Sequence, residues 1–166
     1  MSLLVDAGKI RAMKEPGPEV SGPAKIQRLA GIRVLFVEDN EVNQMVMQAM
    51  LRPEGPELTT VGDGRLALEQ VATRGPAAFD IVLMDIQMPV MDGYEATRRI
   101  HEIAPDLPVI GQTAHVLQEA IAQCQAAGMV AHLPKPIDRH ELVAKILQYA
   151  RRAAPPGRND SDRQPA

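Results

Sequence analysis

IRVLFVEDNEVNQMVMQAM, from Ile32 to Met50, is the stretch on which the fold turns. Ile32 to Val37 is a short β-branched and apolar run, interrupted only by Arg33, the pattern of a strand covered on both faces. Glu38, Asp39 and Asn40 break it. Val42, Met45, Val46, Ala49 and Met50 then recur at helical spacing. A buried strand, an acidic turn and an apolar-striped helix make one β-α unit. The same alternation continues outward. Glu57 to Val61 reads as a weak strand, and Leu68, Val71 and Ala72 mark a helix. FDIVLM, Phe79 to Met84, is a second fully buried strand. The helix from Tyr94 to about Glu102 has Ala96, Ile100 and Ile103 facing inward. Leu107 to Ile110 and Met129 to Leu133 are further strands. Leu117, Ala120, Ile121 and Cys124 stripe the helix between them, and Leu142, Val143, Ile146, Leu147 and Ala150 stripe the last one. Five β-α units in series predict an α/β fold, a doubly wound parallel sheet with helices on both faces. Functional groups in such sheets gather at the carboxyl ends of the strands, near the switch in strand order.

The rest of the chain bounds this reading. Its 166 residues suit one domain with tails. Residues 1–31, with Pro16, Gly17, Pro18, Gly22 and Pro23, read as a flexible linker carrying one short helix near Lys25 to Leu29. Residues 32–151 form the domain. Residues 152–166, with Pro155, Pro156 and Gly157, read as a disordered tail, so no output domain is expected in this chain. A net charge of -3 supplies no field for nucleic acid, and aromatics at 2% leave no stacking platform for bases. Cys124, the single cysteine, has no internal partner, which suits a reducing cytoplasm. No apolar run approaches the roughly 20 residues of a membrane span, so no membrane contact is expected.

The strand ends carry the chemistry. Glu38 and Asp39 follow the first strand and Asp85 the third. Gln112, Thr113 and Ala114 follow the fourth, and Lys135 the fifth. Three carboxylates brought together repel one another and need a cation. Oxygen ligands in a compact site suit Mg²⁺. Asp85, ending the central buried strand ahead of the Met88-Pro89 turn, is the plausible nucleophile for phosphoryl transfer. Metal and Lys135 would neutralise the equatorial oxygens, and the Thr113 hydroxyl would donate to another of them. Taken singly, each acid is more simply a loop or helix-cap residue, and Asp39 and Asn40 both suit the cap of the following helix. Their convergence favours the shared site.

VEDNEVNQ (Val37 to Gln44), LMDIQMPVMDGYEATRRI (Leu83 to Ile100), QTAH (Gln112 to His115) and LPKP (Leu133 to Pro136) resemble the receiver domain of two-component response regulators. Within that family the chain is most similar to the C-terminal receiver of a hybrid sensor histidine kinase, with a single-domain regulator as the alternative. The resemblance covers about Ile32 to Arg151 and implies a flavodoxin-like (βα)5 fold with strand order 2-1-3-4-5. It implies that Asp85 is phosphorylated from a partner's phosphohistidine, changing partner interactions, and that Thr113 and Lys135 contact the phosphoryl group. Asp39 would bind Mg²⁺ or Mn²⁺ directly, Glu38 through water, Asp85 with them, and Gln87 through its backbone carbonyl. The Lys135-Pro136 bond would be cis, and Thr113 and position 132 would form the switch. The implied partners are a sensor histidine kinase or a histidine phosphotransfer protein, with a weak homodimer as a further option. The implied location is the cytoplasm, the parent protein being membrane-anchored in some arrangements. The responsive face would run from Leu117 to Gln148. The chain departs from the family pattern in three places. Gln112 replaces an apolar residue, His132 replaces an aromatic one, and Gly55-Pro56 predicts a short or irregular second strand.

Two rivals are weaker. A haloacid-dehalogenase-like phosphatase would need an acid two residues past its nucleophile, where this chain has Gln87. A degenerate receiver would lack acceptor or metal acids, and both are present. The chain is therefore expected not to be a conventional enzyme beyond promoting its own phosphorylation and dephosphorylation.

Overall fold

The structure, a computed structural model, describes residues 27–114 and 117–151. The linker and tail expected over 1–26 and 152–166 lie outside the described residues, as does His115. Strands β1 (Arg33–Val37), β2 (Glu57–Val61), β3 (Ile81–Asp85), β4 (Val109–Thr113) and β5 (Ala131–Pro134) alternate with helices α1 (Glu41–Leu51), α2 (Gly64–Arg74), α3 (Gly93–Ile103), α4 (Gln118–Ala127) and α5 (Arg139–Tyr149). The sheet order is β2-β1-β3-β4-β5, with every neighbouring pair parallel.

The two-residue alternation of each strand divides the core. Leu35, Val37, Val82 and Met84 join Val71, Ala96 and Ile100 on the side of α2, α3 and α4. Val34, Phe36, Ile81 and Leu83 join Met47, Leu51, Leu142 and Ile146 on the side of α1 and α5. Both faces are covered, which is why β1 and β3 read as continuous apolar runs. Polar residues punctuate the strand-to-helix turns. Asn40, Asp63, Asp92 and Asp138 each cap a helix, accepting backbone N–H bonds with the side chain.

Several details differ from the sequence reading. Leu29 is fully buried and its N–H donates to the Glu54 carbonyl at 2.9 Å. The folded unit therefore reaches back before Ile32. Strands β3 and β4 run on through Asp85 and Thr113, past the expected ends at Met84 and Ile110. Strand β2 is regular and pairs with β1 over its full length, because Gly55 closes a short 3-10 turn (Arg52–Glu54) before the strand begins. In α1 the buried residues are Met47 and Leu51, while Val42 and Met45 are 66% and 67% exposed. A helix apolar on several sides does not reveal which stripe the sheet takes. Ile103, Leu117 and Leu147 likewise lie on the surface, and Ile100, Cys124 and Ile146 carry the inward contacts of their helices.

Candidate functional site

Glu38 and Asp85 stand side by side because Val37 and Met84, the residues before them, are register partners on adjacent central strands. Both carboxylates are buried, at 1% and 3% exposure, while Asp39 faces solvent. One carboxylate oxygen from each of Glu38, Asp39 and Asp85 lies within 4.8 Å of the others. Lys135 enters from the turn after β5. Its N–H donates to the Thr113 carbonyl at 2.8 Å, and its bond to Pro136 is cis, as the LPKP motif implied. The ammonium lies 3.2 Å from Asp85 Oδ1 and 3.4 Å from Glu38 Oε1. Asn40 N–H donates to Glu38 Oε2 at 3.2 Å, and the Gln44 amide donates to the Glu38 carbonyl at 2.6 Å. Gln87 N–H donates to Asp85 Oδ1 at 3.3 Å.

The charges are unbalanced: three acids face one lysine. Burial, then the neighbouring Asp85 charge, pushes the Glu38 carboxyl up to about 7, although the Asn40 N–H and Lys135 oppose this. Burial pulls the Lys135 ammonium down, but Asp85 and Glu38 outweigh it, so its pKa is raised. A compact set of oxygen donors with excess negative charge fits a hard divalent cation such as Mg²⁺.

Three features of the site were not read from the sequence. An added Cβ at Gly93 would lie 2.5 Å from the Asp85 carbonyl oxygen and 2.9 Å from Ile86 Cα. Only a bare backbone lets the start of α3 approach the acceptor strand this closely. Val90, in the loop between them, holds φ at 72° and is 81% exposed. The Asp92-Gly93 pair was visible in the motif, whereas nothing local announces a left-handed valine. Gln44 was also missed, although it lies on the first turn of α1, on the side that returns to Glu38.

Of the expected site residues, Glu38, Asp39, Asp85 and Lys135 converge. Gln87 is tied to Asp85 through its N–H. Thr113 ends β4, buried, one residue beyond the register partner of Asp85. His132 is not in this cleft. It is half-buried and lines a 240 Å³ hollow that also meets Cys124, Lys145 and Tyr149.

Residues 34–147 match the family model of the response regulator receiver domain. The chain belongs to that family. The receiver is similar to the receiver domain of sensor histidine kinase PA1611 from Pseudomonas aeruginosa PAO1, solved with a magnesium ion coordinated in its active site cleft. That likeness has 43% identity and a TM-score of 0.65, covering 72% of this chain and 98% of the other. It is also similar to the receiver domain of Saccharomyces cerevisiae Ssk1, solved with the histidine phosphotransfer protein Ypd1, at 27% identity and a TM-score of 0.66, covering 74% of this chain and 90% of the other. Histidine kinase 1 of Arabidopsis thaliana is 35% identical over 160 residues, 76% of this chain and 13% of that protein. Sensor protein GacS of Pseudomonas syringae pv. syringae is 33% identical over 170 residues, 97% of this chain and 17% of that protein. The receiver thus spans a small part of these curated relatives. The expected family, the (βα)5 fold with order 2-1-3-4-5, and the place in two-component phosphorelay signalling are all borne out.

Proposed function

We propose that Asp85 is the phosphoacceptor of this receiver, taking its phosphoryl group from a phosphohistidine on a sensor histidine kinase or a histidine phosphotransfer protein. The observation that carries this is the Asp85 carboxylate itself, buried at the end of a central strand with the Lys135 ammonium 3.2 Å away and two further acids beside it. An Asp85 oxygen attacks phosphorus. The P–N bond breaks, and the leaving imidazole takes the electron pair and then a proton. Lys135 leaves Glu38 to meet a phosphoryl oxygen, and the Thr113 hydroxyl donates to another. Asp39, Asp85 and the Gln87 carbonyl would hold Mg²⁺, with Glu38 acting through water. Bound there, the ion would offset charge on the transferring group. Movement of Thr113 would then open space that the His132 ring enters, altering the face formed by α4, β5 and α5 toward partners.

The receiver promotes its own phosphorylation rather than turning over a free substrate, and Gln87 in place of a second acid supports this against a phosphatase. Among the described residues no helix is long and apolar enough to cross a membrane. Action in the cytoplasm, as one module of a hybrid kinase, fits the relatives' kinase names. Labelling with a phosphohistidine donor or a small acyl phosphate plus Mg²⁺ should modify the wild type and leave Asp85→Asn unlabelled. Label persisting on that variant would move the acceptor elsewhere.

A further inference from the structure

Asp39 is exposed, so packing does little to aim its carboxylate. The backbone before it does that work. Glu38 N–H donates to the Val61 carbonyl at the end of β2, at 3.1 Å. The Glu38 carbonyl accepts from the Gln44 side-chain amide at 2.6 Å. That carbonyl and the Asp39 nitrogen belong to one rigid peptide unit. Holding its oxygen therefore fixes the plane from which the Asp39 side chain departs. Asn40, next in the chain, is held separately as the cap of α1, its side chain accepting from the Val42 and Asn43 N–H groups at 2.9 and 3.1 Å. Gln48, four residues past Gln44 and so on the same side of α1, directs its amide elsewhere, to Thr60 Oγ1 on β2 at 3.5 Å.

We infer that Gln44 is a positioning residue for the divalent cation: through the Glu38–Asp39 peptide it presets the direction of the Asp39 carboxylate before the ion arrives. The inference rests on the reading of Glu38, Asp39 and Asp85 as the metal site. Gln44 touches neither the ion nor the phosphoryl group and acts through the backbone alone. A lysine or arginine here could also donate to the carbonyl, but it would set a positive charge beside the cation's place, which a neutral amide avoids. Without the tie, the turn samples other orientations. The ion then has to order it, and affinity falls by the fraction of molecules already arranged to bind. Loss of one such hydrogen bond moves that balance about three- to tenfold. If Gln44 only fastened α1 to the sheet, it would be equivalent to Gln48. The two differ in what they hold, since Gln44 alone grips the peptide between the two acids.

The test is a calorimetric titration of the full chain with Mg²⁺. Gln44→Met keeps the length of the side chain but cannot donate, and should weaken Mg²⁺ about three- to tenfold. Gln44→Leu, a second variant without a donor, should do the same. Gln48→Met removes the neighbouring tie of α1 and should bind Mg²⁺ as the wild type does. Labelling with a small acyl phosphate should need more Mg²⁺ in the Gln44 variants, by the same factor. Asp39→Ala should lose Mg²⁺ binding, which fixes the site being read. Two results would overturn the inference with that site intact: wild-type affinity in both Gln44 variants, or an equal loss in Gln44→Met and Gln48→Met, which would mean a general loosening of α1. Undiminished binding by Asp39→Ala would instead sink the metal site itself, and the inference with it.

Discussion

Glu54 offers a prediction whose size follows from the structure. It is 3% exposed and sits between two arginines distant in sequence. Arg28 donates from Nε to Oε1 at 2.9 Å and from a terminal nitrogen to Oε2 at 2.7 Å, and Arg139 donates to Oε2 at 3.0 Å. The paired Arg28 guanidinium, opposed by burial and helped by Arg139, holds the Glu54 carboxyl down at about 2 from an ordinary 4.5. At ~1.36 kcal/mol per pKa unit, that difference sets a ceiling of about 3 kcal/mol. The arginine side chains are 42% and 44% exposed, so water competes for them, and we expect about 1–2 kcal/mol after that discount. Glu54→Gln keeps the shape and the acceptor oxygen but removes the charge. Because the folded pKa is depressed, the contribution is fully present above about 4.5 and is lost as pH falls toward about 2. Urea unfolding of wild type and variant should therefore show a gap of about 1–2 kcal/mol at neutral pH that shrinks by about half or more near pH 3. A gap that is negligible at neutral pH, or the same at both pH values, would refute the electrostatic account.

Three further outcomes are expected. Glu38 must shed its proton to serve a cation, so Mg²⁺ affinity should rise about tenfold from pH 6 to pH 8 through the Glu38 pKa of about 7. Fluorescence- or calorimetry-based titration of Glu38→Gln should lose that slope, and an unchanged slope would assign it to another group. Gly93→Ala puts a methyl 2.5 Å from the Asp85 carbonyl oxygen and should destabilise by about 1–3 kcal/mol in thermal unfolding, so an unshifted midpoint would contradict the close approach. Val90→Gly relieves a left-handed valine at φ 72° and should stabilise by about 0.5–1 kcal/mol after the entropy cost of glycine, whereas a loss of stability would show that no strain was stored there.

The sequence by itself determined the α/β class, because strands covered on both faces leave continuous apolar runs such as Val34 to Val37. It also determined the chemistry of the cleft. Glu38, Asp39, Asp85 and Lys135 stand where apolar runs stop, and a parallel sheet brings those stops to one edge. The order 2-1-3-4-5 came through the family motifs, since alternation alone leaves the strand order open. Tertiary structure decided what depends on distant partners. Which stripe of α1 is buried turned on Met47 and Leu51 meeting the sheet, and not on local hydrophobicity, which Val42 and Met45 share. The ties from Glu54 to Arg28 and Arg139 join positions 26 and 85 residues apart, so no local pattern announces them. The elevated Glu38 pKa requires both burial and the nearby Asp85 charge. Gln112 was legible as a departure from an apolar position. That its amide lies buried beside a cavity, without a partner among the described residues, depends on how β4, α1 and the Lys135 turn pack around it. Residue type and spacing state which groups are available, while desolvation and long-range contact decide which of them are charged, paired or left wanting a bond.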